Sequence, residues 1–316
     1  MINNTTVNAA AYGGDGWSPR STSLAEEVGG LWGSCGNASE WSRLKSVLLH
    51  KPGEELGASA DPNSVLMIEP LDLSRAQAQH DGMAAMYQQL SVAVHYVDPQ
   101  GTPKPNQMFC ADLMFMTPEG VILARPAGTV RAGEERQVAR RLADLGVPIV
   151  RSIRGNGTFE GADAMWLNAE TVIIGRGMRT NDEGAAQLKS TLNEMGVEVI
   201  VVDLPVGTMH LMGTLRIMSE NTAVARHFRF VHRGVEALKR HGYRVEFVPE
   251  SWETESNKAF NFVTVGRNEI LMAANNPKTQ EFYESLDVTC HTVPADELGK
   301  AAGAIGCLTG IIEREM

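Results

Sequence analysis

The chain has 316 residues, of which 43% are apolar, and its formal net charge at pH 7 is −10. The apolar fraction is sufficient for a sizeable core. The acidic balance and the absence of a basic cluster argue against nucleic acid and anionic membranes as partners.

The first 38 residues form a polar segment that begins MINNTTVNAAAYGGDG. It has no basic stretch followed by an apolar stretch, so we do not expect a signal peptide. Its Gly, Ser, Thr and Asn content is typical of a loosely ordered lead. The sequence therefore predicts a lead over residues 1–38 and one α/β domain over residues 39–316.

The first regular elements make an incomplete structural unit. Leu44–His50 reads as a buried strand, Leu73–Leu90 carries helical periodicity, and VAVHYVDP (92–99) reads as a strand. The apolar run AIGCLTGII (304–312), near the end of the chain, could supply the missing strand. We expect this pairing to close the units into a ring and remove open sheet edges.

Four longer units follow the same plan: two short apolar runs joined by a turn, a polar helix, and a β-rich run. Their spacing of roughly fifty residues is typical of a repeat array. A strand that follows a helix in each unit implies parallel crossovers, with helices outside and strands within. The units are Ala111–Arg151, Ala162–Asp203, Gly213–Pro249 and Asn261–Pro294.

Chemically active side chains precede or begin the first strand of successive units. Asp112 stands in the first, Glu160 and Asp163 in the next, and His210 in the third, while Cys307 lies in the closing segment. In a ring these positions point at a common axis. The sequence therefore predicts a cysteine nucleophile beside an acid/base and a cation clamp.

The four cysteines, Cys35, Cys110, Cys290 and Cys307, form no CxxC pair. A disulfide framework or a zinc site is therefore not expected, and a reducing, cytoplasmic compartment fits better. A single cysteine is more often a buried, inert residue. The repeat is what favours Cys307 as a nucleophile, because it sets Glu160 and His210 opposite.

The other candidates also have ordinary alternatives. Glu160 and Asp163 form a carboxylate pair that could hold a planar guanidinium, and one of the two could orient a histidine. Alternatively, His210 could be structural and the two acids could be solvated, although Phe159 and Trp166 bound their segment. Asp112 enters an apolar strand and needs a partner, which a substrate cation or an internal arginine could provide.

Two arginines follow the second strand in successive units. Arg125 and Arg179 could grip a substrate carboxylate, although surface arginines are common.

Four motifs in this order resemble the pentein superfamily of guanidino-group-modifying enzymes. They are FxxD (109–112), FEGAD (159–163), MHL (209–211) and GCLT (306–309). The segment EWSRLKSVLLHKPGEE also looks like the opening of two branches of this superfamily, the arginine deiminases and the dimethylarginine dimethylaminohydrolases. The superfamily also includes the arginine dihydrolases. The resemblance runs from about residue 40 to the end of the chain.

The resemblance implies a five-bladed α/β propeller as the catalytic domain and a small cationic guanidino substrate, arginine or a substituted arginine. It implies that Cys307 attacks the guanidinium carbon to form an amidino-thioether. His210 would protonate the leaving amine and then activate water, Glu160 would partner substrate and His210, and Asp112 would bind guanidinium nitrogens. No metal or organic cofactor is implied.

Two positions depart from the pattern of the relatives. Met212 stands where deiminases and amidinotransferases carry an acid and dimethylaminohydrolases a lysine, and Ala111 stands where many relatives have arginine or an acid. These departures leave room for an alkylated guanidine. They leave three hypotheses open: a C–N hydrolase, an amidinotransferase, and a ring that only binds an arginine-like ligand. The sequence also leaves open whether the protein is a homo-oligomer.

Overall fold

The computed structural model describes residues 7–316, in which fifteen β-strands form five three-stranded sheets. The sheets share one plan, because each central strand pairs antiparallel with one neighbour and parallel with the other. The five sheets correspond to the four predicted units and the unit formed by both ends of the domain.

The strands are β1 (Leu44–Leu49), β2 (Ala93–Tyr96), β3 (Met114–Thr117), β4 (Gly120–Leu123), β5 (Ile149–Ser152), β6 (Ala164–Asn168), β7 (Thr171–Arg176), β8 (Glu198–Asp203), β9 (Leu215–Ile217), β10 (Thr222–Arg226), β11 (Arg244–Val248), β12 (Val263–Gly266), β13 (Glu269–Ala273), β14 (Thr289–Val293) and β15 (Gly310–Arg314). The α-helices are α1 (Leu24–Glu27), α2 (Leu73–Gln89), α3 (Glu134–Asp144), α4 (Asp182–Glu194), α5 (His232–Arg240), α6 (Trp252–Glu255), α7 (Pro277–Glu284), α8 (Asp296–Gly299) and α9 (Ile305–Leu308).

The ring closes where the sequence predicts it. Strand β15 pairs antiparallel with β1, and Val47 faces Ile311 in the register. The predicted strand is too long at its start, however. Residues 305–308 form the short helix α9, so Cys307 lies in a helical turn that precedes the strand rather than in the strand.

In the four repeat units, the two antiparallel strands of each sheet are buried on both faces, whereas the third, parallel strand is more exposed. Met165 packs with Ile173 in one apolar cluster, whereas Trp166 packs with Val172 in the cluster on the other side. Because side chains alternate along a strand, each sheet contributes to the core it shares with both neighbouring sheets. Trp166 also joins two sheets directly, since its ring stacks on Phe115 with the centroids 5.7 Å apart.

The segment before the first strand contacts the domain through backbone hydrogen bonds and through Cys35, which is buried in an apolar cluster with Leu48 and Met114. The backbone N–H of Gly33 donates to the carbonyl of Gly146, and that of Gly36 donates to the carbonyl of Ile312, both at 2.9 Å. The predicted division at residue 38 stays a prediction. Among residues 7–316, no helix combines the length and the apolar character that crossing a membrane requires.

Candidate active site

Three short 3₁₀ turns deliver the predicted acid/base residues to one place. Each turn ends immediately before the first strand of its unit, or with one residue in between. The turns are Cys110–Leu113, Gly161–Asp163 and Leu211–Gly213. Glu160 and His210 immediately precede the second and third turns. Since the units repeat around one axis, side chains distant in sequence meet at the axis.

His210 and the two acids are in close proximity. His210 Nε2 lies 2.6 Å from Glu160 Oε2 and 3.9 Å from Asp112 Oδ1. All three side chains are buried, and Glu160 is 0% exposed. The turn that carries Glu160 fits against the preceding unit only because it begins with Gly161, where a Cβ would lie 2.1 Å from the carbonyl oxygen of Met114.

Cys307 shares a cavity with these groups. We call it the Asp112 cavity; its volume is about 300 Å³. The cavity is lined by Leu66, Asn106, Phe109, Asp112, Arg131, Arg179, Met209, His210, Ala301, Ala302, Gly303 and Cys307. The structure therefore brings together four of the seven predicted site residues, Cys307, His210, Asp112 and Arg179, with Glu160 directly behind His210.

Two side chains that sequence reasoning missed complete the site, and Asn261 is the first. Its side-chain amide donates to Cys307 Sγ at 2.9 Å, and its side-chain oxygen accepts from the backbone N–H of Cys307 at 3.0 Å. Asn261 begins the fourth repeat unit, so the repeat could have identified it by the same position that gave Asp112 and His210.

Arg131 is the second missed side chain. Its Nη1 donates to Asp112 Oδ2 at 2.7 Å and to Glu160 Oε2 at 3.3 Å, and its Nε donates to Glu134 Oε2 at 2.9 Å. It is 3% exposed. Nothing in its segment, GTVRAGEERQ, distinguishes it from a surface arginine, since its carboxylate partners Asp112 and Glu160 lie 19 and 29 residues away.

Two predicted substrate-binding residues have other roles in the structure. Arg125 is exposed and lies outside the Asp112 cavity, because its backbone pairs with Phe159 and its guanidinium donates to the carbonyl of Gly157 at 3.0 Å. Asp163 is buried behind the cavity. Its oxygens accept from Thr180 Oγ1 at 2.7 Å and from the backbone N–H of Leu211 at 2.9 Å. The Leu211 contact fixes the turn that begins with His210.

Burial and nearby charges set the protonation states of His210, Glu160 and Cys307. Burial alone would lower the pKa of His210, but Asp112 and Glu160 outweigh it and raise that pKa to about 9. Although burial opposes it, the bond from His210 holds the pKa of Glu160 at about 2. Burial raises the pKa of the Cys307 thiol, and the Asp112 carboxylate adds to this effect. At neutral pH these shifts give a cationic imidazole and a protonated thiol.

The three buried groups Asp112, Glu160 and His210 lie within 4.8 Å of one another, a spacing that could hold a metal ion. However, the Arg131 guanidinium already bonds to both acids. Its positive charge occupies the place that a cation would take. The donor set therefore does not fit a metal site well.

Comparison with known proteins identifies the family. Residues 69–270 match the family model described as N,N dimethylarginine dimethylhydrolase, eukaryotic, and this span exceeds half of the chain. The chain belongs to this family. The N(G),N(G)-dimethylarginine dimethylaminohydrolase of Streptomyces coelicolor is 27% identical over 206 residues, which are 65% of this chain and 74% of that protein.

Solved structures agree with the predicted fold. A mutant of DDAH from Pseudomonas aeruginosa, complexed with citrulline, has a TM-score of 0.72 at 23% identity and covers 86% of this chain and 100% of its own. SxtG, an amidinotransferase from Microseira wollei, has a TM-score of 0.74 at 12% identity, with coverages of 89% and 98%. The predicted pentein membership and the five-bladed α/β propeller are confirmed.

Proposed function

We propose that the protein is a cysteine-dependent hydrolase that cleaves a C–N bond of a guanidino compound, arginine or a substituted arginine. One observation carries the proposal: Cys307, His210 and Asp112 line a single cavity of about 300 Å³. Family membership supports the same chemistry, because the relative in Streptomyces coelicolor is named as a dimethylaminohydrolase.

Asp112 is the group proposed to receive the guanidinium. Its Oδ2 accepts from Arg131, whereas its Oδ1 is buried and has no hydrogen-bond partner among residues 7–316. A buried carboxylate oxygen without a donor is unfavourable, and a guanidinium N–H would satisfy it. Binding also brings positive charge beside the Cys307 sulfur, which favours loss of the thiol proton to solvent.

The thiolate then attacks the guanidino carbon and an S–C bond forms. The protonated His210 donates its proton to the leaving nitrogen, so the C–N bond breaks and a neutral amine departs. A cationic amidino-thioether on Cys307 remains. His210, now neutral, takes a proton from water as the oxygen bonds to carbon. The S–C bond breaks, the thiolate is restored, and the ureido product passes its extra proton to the amine.

Arg179 is the proposed partner of a substrate carboxylate. It lines the cavity, and its Nη1 donates to Glu160 Oε1 at 3.3 Å. Its Nε is buried and lacks a partner within the described part of the chain.

A variant of the nucleophile tests the proposal. We expect Cys307→Ser to lower turnover by at least about a thousandfold, because a serine hydroxyl is a far weaker nucleophile here than a thiolate. Cys290→Ser is the matched control, since Cys290 lies outside the cavity. The assay follows ammonia, methylamines and urea released from a panel of guanidino compounds. Full activity of Cys307→Ser on the true substrate would reject the proposal.

An amidinotransferase is the second candidate, since the fold also matches an amidinotransferase. In that reaction an amine replaces water in the second step. Amidino product formed with glycine, lysine or ornithine would favour the transferase, and water as sole acceptor would exclude it. A protein that only binds its ligand would not form a stable thioether on Cys307 with a haloacetamidine probe, whereas either enzyme would.

We further propose that residues 39–316 are the catalytic domain, that residues 1–38 are a lead, and that the protein works in the cytoplasm. All four cysteines are free in the described part of the chain, which supports a reducing compartment. Limited proteolysis tests the domain division, because the proposal predicts cleavage before residue 39 with activity retained.

A further inference from the structure

A second cavity lies against the reacting groups. We call it the Lys258 cavity; its volume is about 720 Å³, and it shares Met209, His210, Ala302 and Cys307 with the Asp112 cavity. The two cavities thus give the sulfur and the imidazole two different surroundings.

The Lys258 cavity has an excess of positive charge. Three basic side chains line it, Arg226, Arg229 and Lys258, against one acid, Glu255. Arg226 is bonded to Glu250, with Nε 3.3 Å from that carboxylate, and Arg229 Nη2 lies 3.6 Å from Glu255 Oε1. The protonated His210 adds a further positive charge at the boundary with the Asp112 cavity.

Lys258 is the unbalanced charge of this cavity. Its ammonium makes no ion pair within 4.0 Å among residues 7–316. Its backbone is held at a φ of 61°, a left-handed conformation that a lysine seldom adopts. A partly buried ammonium without a counterion is unfavourable, and burial lowers its pKa accordingly. An anion in the cavity would remove this cost.

One group in each cavity assigns the ends of a substrate: Asp112 is the only acid among the described residues that line the Asp112 cavity, and Lys258 is the cation without an ion pair in the Lys258 cavity. Asp112 would hold the guanidinium on one side of Cys307, with Arg179 beside it. An amine on the other side of the guanidino carbon would project past His210 into the Lys258 cavity. Met212 lines the Lys258 cavity and carries no charge. The cations of this cavity therefore determine which substituent on the amine is favoured.

We propose that the Lys258 cavity is a subsite for a carboxylate carried by the amine that His210 protonates or deprotonates. This inference rests on the proposed function. In hydrolysis the amine is the leaving group, so the favoured substrates are guanidines with a carboxyalkyl group on the outer nitrogen. In amidino transfer the same subsite would hold an amino acid as acceptor.

Kinetics on matched substrates test the subsite. We compare Nω-carboxymethyl-arginine with Nω,Nω-dimethylarginine, which is similar in size and lacks the anion, using the wild-type enzyme and Lys258→Met. The variant should lose about tenfold in kcat/KM on the carboxymethyl substrate, the equivalent of one partly buried ion pair. Its kcat/KM on dimethylarginine should change less than about twofold. Lys258→Arg should retain the preference.

Lys278→Met is the matched control, because Lys278 is exposed and does not line the cavity. Glycine as acceptor distinguishes the transfer arm. There, Lys258→Met should raise the KM for glycine about tenfold and leave the KM for ethylamine unchanged. Equal losses on charged and uncharged partners in both arms would overturn the subsite while leaving the proposed function intact.

A second measurement does not depend on turnover. Iodoacetate and iodoacetamide alkylate a thiol alike, but only iodoacetate is an anion. The rate of Cys307 alkylation by iodoacetate, divided by the rate with iodoacetamide, should fall about fivefold or more in Lys258→Met. The same ratio should stay unchanged in Lys278→Met. An unchanged ratio in Lys258→Met would overturn the subsite. If no guanidine is turned over by the wild-type protein, the proposed function fails, yet this ratio still decides whether Lys258 attracts an anion to Cys307.

Discussion

The carboxylate side and the sulfur side of the active site differ in how complete they are. Every oxygen of Glu160 is bonded: Oε1 accepts from the backbone N–H of Ala127 and from Arg179, and Oε2 contacts His210 and Arg131. On the other side, Cys307 Sγ accepts from the amide of Asn261, and burial raises its pKa. The proton donor His210 is therefore already charged and positioned, whereas the Cys307 thiol loses its proton only when the positive charge of a substrate is bound beside it.

Among the variants that test this comparison, loss of the proton donor His210 should lower kcat the most. His210→Gln keeps a polar side chain but cannot donate a proton, so kcat should fall roughly 10²–10⁴-fold. The measurement is steady-state amine release, with His232→Gln as a control because His232 is 85% exposed. If the amine step did not involve His210, the two variants would have similar kcat values.

Removal of the charge behind the imidazole should have a smaller, pH-dependent effect. With Glu160 present, the pKa of His210 is about 9, above its unfolded value of 6.5, so the cation is populated throughout the neutral range. Glu160→Gln should lower this pKa, and the decline of kcat/KM that accompanies His210 deprotonation should then begin at a lower pH.

The same raised pKa affects stability. His210 contributes stability fully below pH 6.5, and this contribution is lost as pH rises through about 9. In Glu160→Gln that loss should occur over a narrower interval that ends at lower pH. Thermal unfolding between pH 6 and 10, with the pH–rate profile, checks both effects. Identical profiles for wild type and variant would mean that Glu160 does not set the protonation of His210.

Substrate positioning should separate Arg179 from Arg125. Arg179→Gln should raise the KM for a carboxylate-bearing guanidine about tenfold, because one charge-assisted contact is lost. Arg125→Gln should leave KM within about twofold, since its guanidinium bonds to the Gly157 carbonyl outside the cavity. The same kinetic assay serves both variants, and equal effects would place Arg125 in substrate binding after all.

The sequence predicted the parts of the site that follow the repeat. Asp112, Glu160 and His210 occupy related positions before strands of successive units, so the repeat period alone indicates that they meet. Asn261 begins the fourth unit at a related position, so the repeat could also have predicted it. The repeat did not predict the place of Arg125 correctly. Arg125 and Arg179 occupy equivalent positions in the sequence of their units, but the backbone of Arg125 pairs with Phe159 and its side chain lies outside the cavity.

Arg131 shows the limit of sequence reasoning. It lies in a 3₁₀ turn after β4, and no period of the repeat selects it. Its place depends on Asp112, Glu134 and Glu160, three acids from separate segments that must already be buried together. A buried ion network of this kind is a property of the assembled fold, so the sequence alone does not predict it.

Trapping the covalent intermediate tests the central claim most directly. Acid quench during turnover, followed by intact-mass and peptide mass measurement, should show an adduct equal to the substrate minus its leaving amine on the peptide that contains Cys307. The Cys307→Ser protein should show no such adduct. An adduct on another residue, or full turnover without any adduct in Cys307→Ser, would contradict the account.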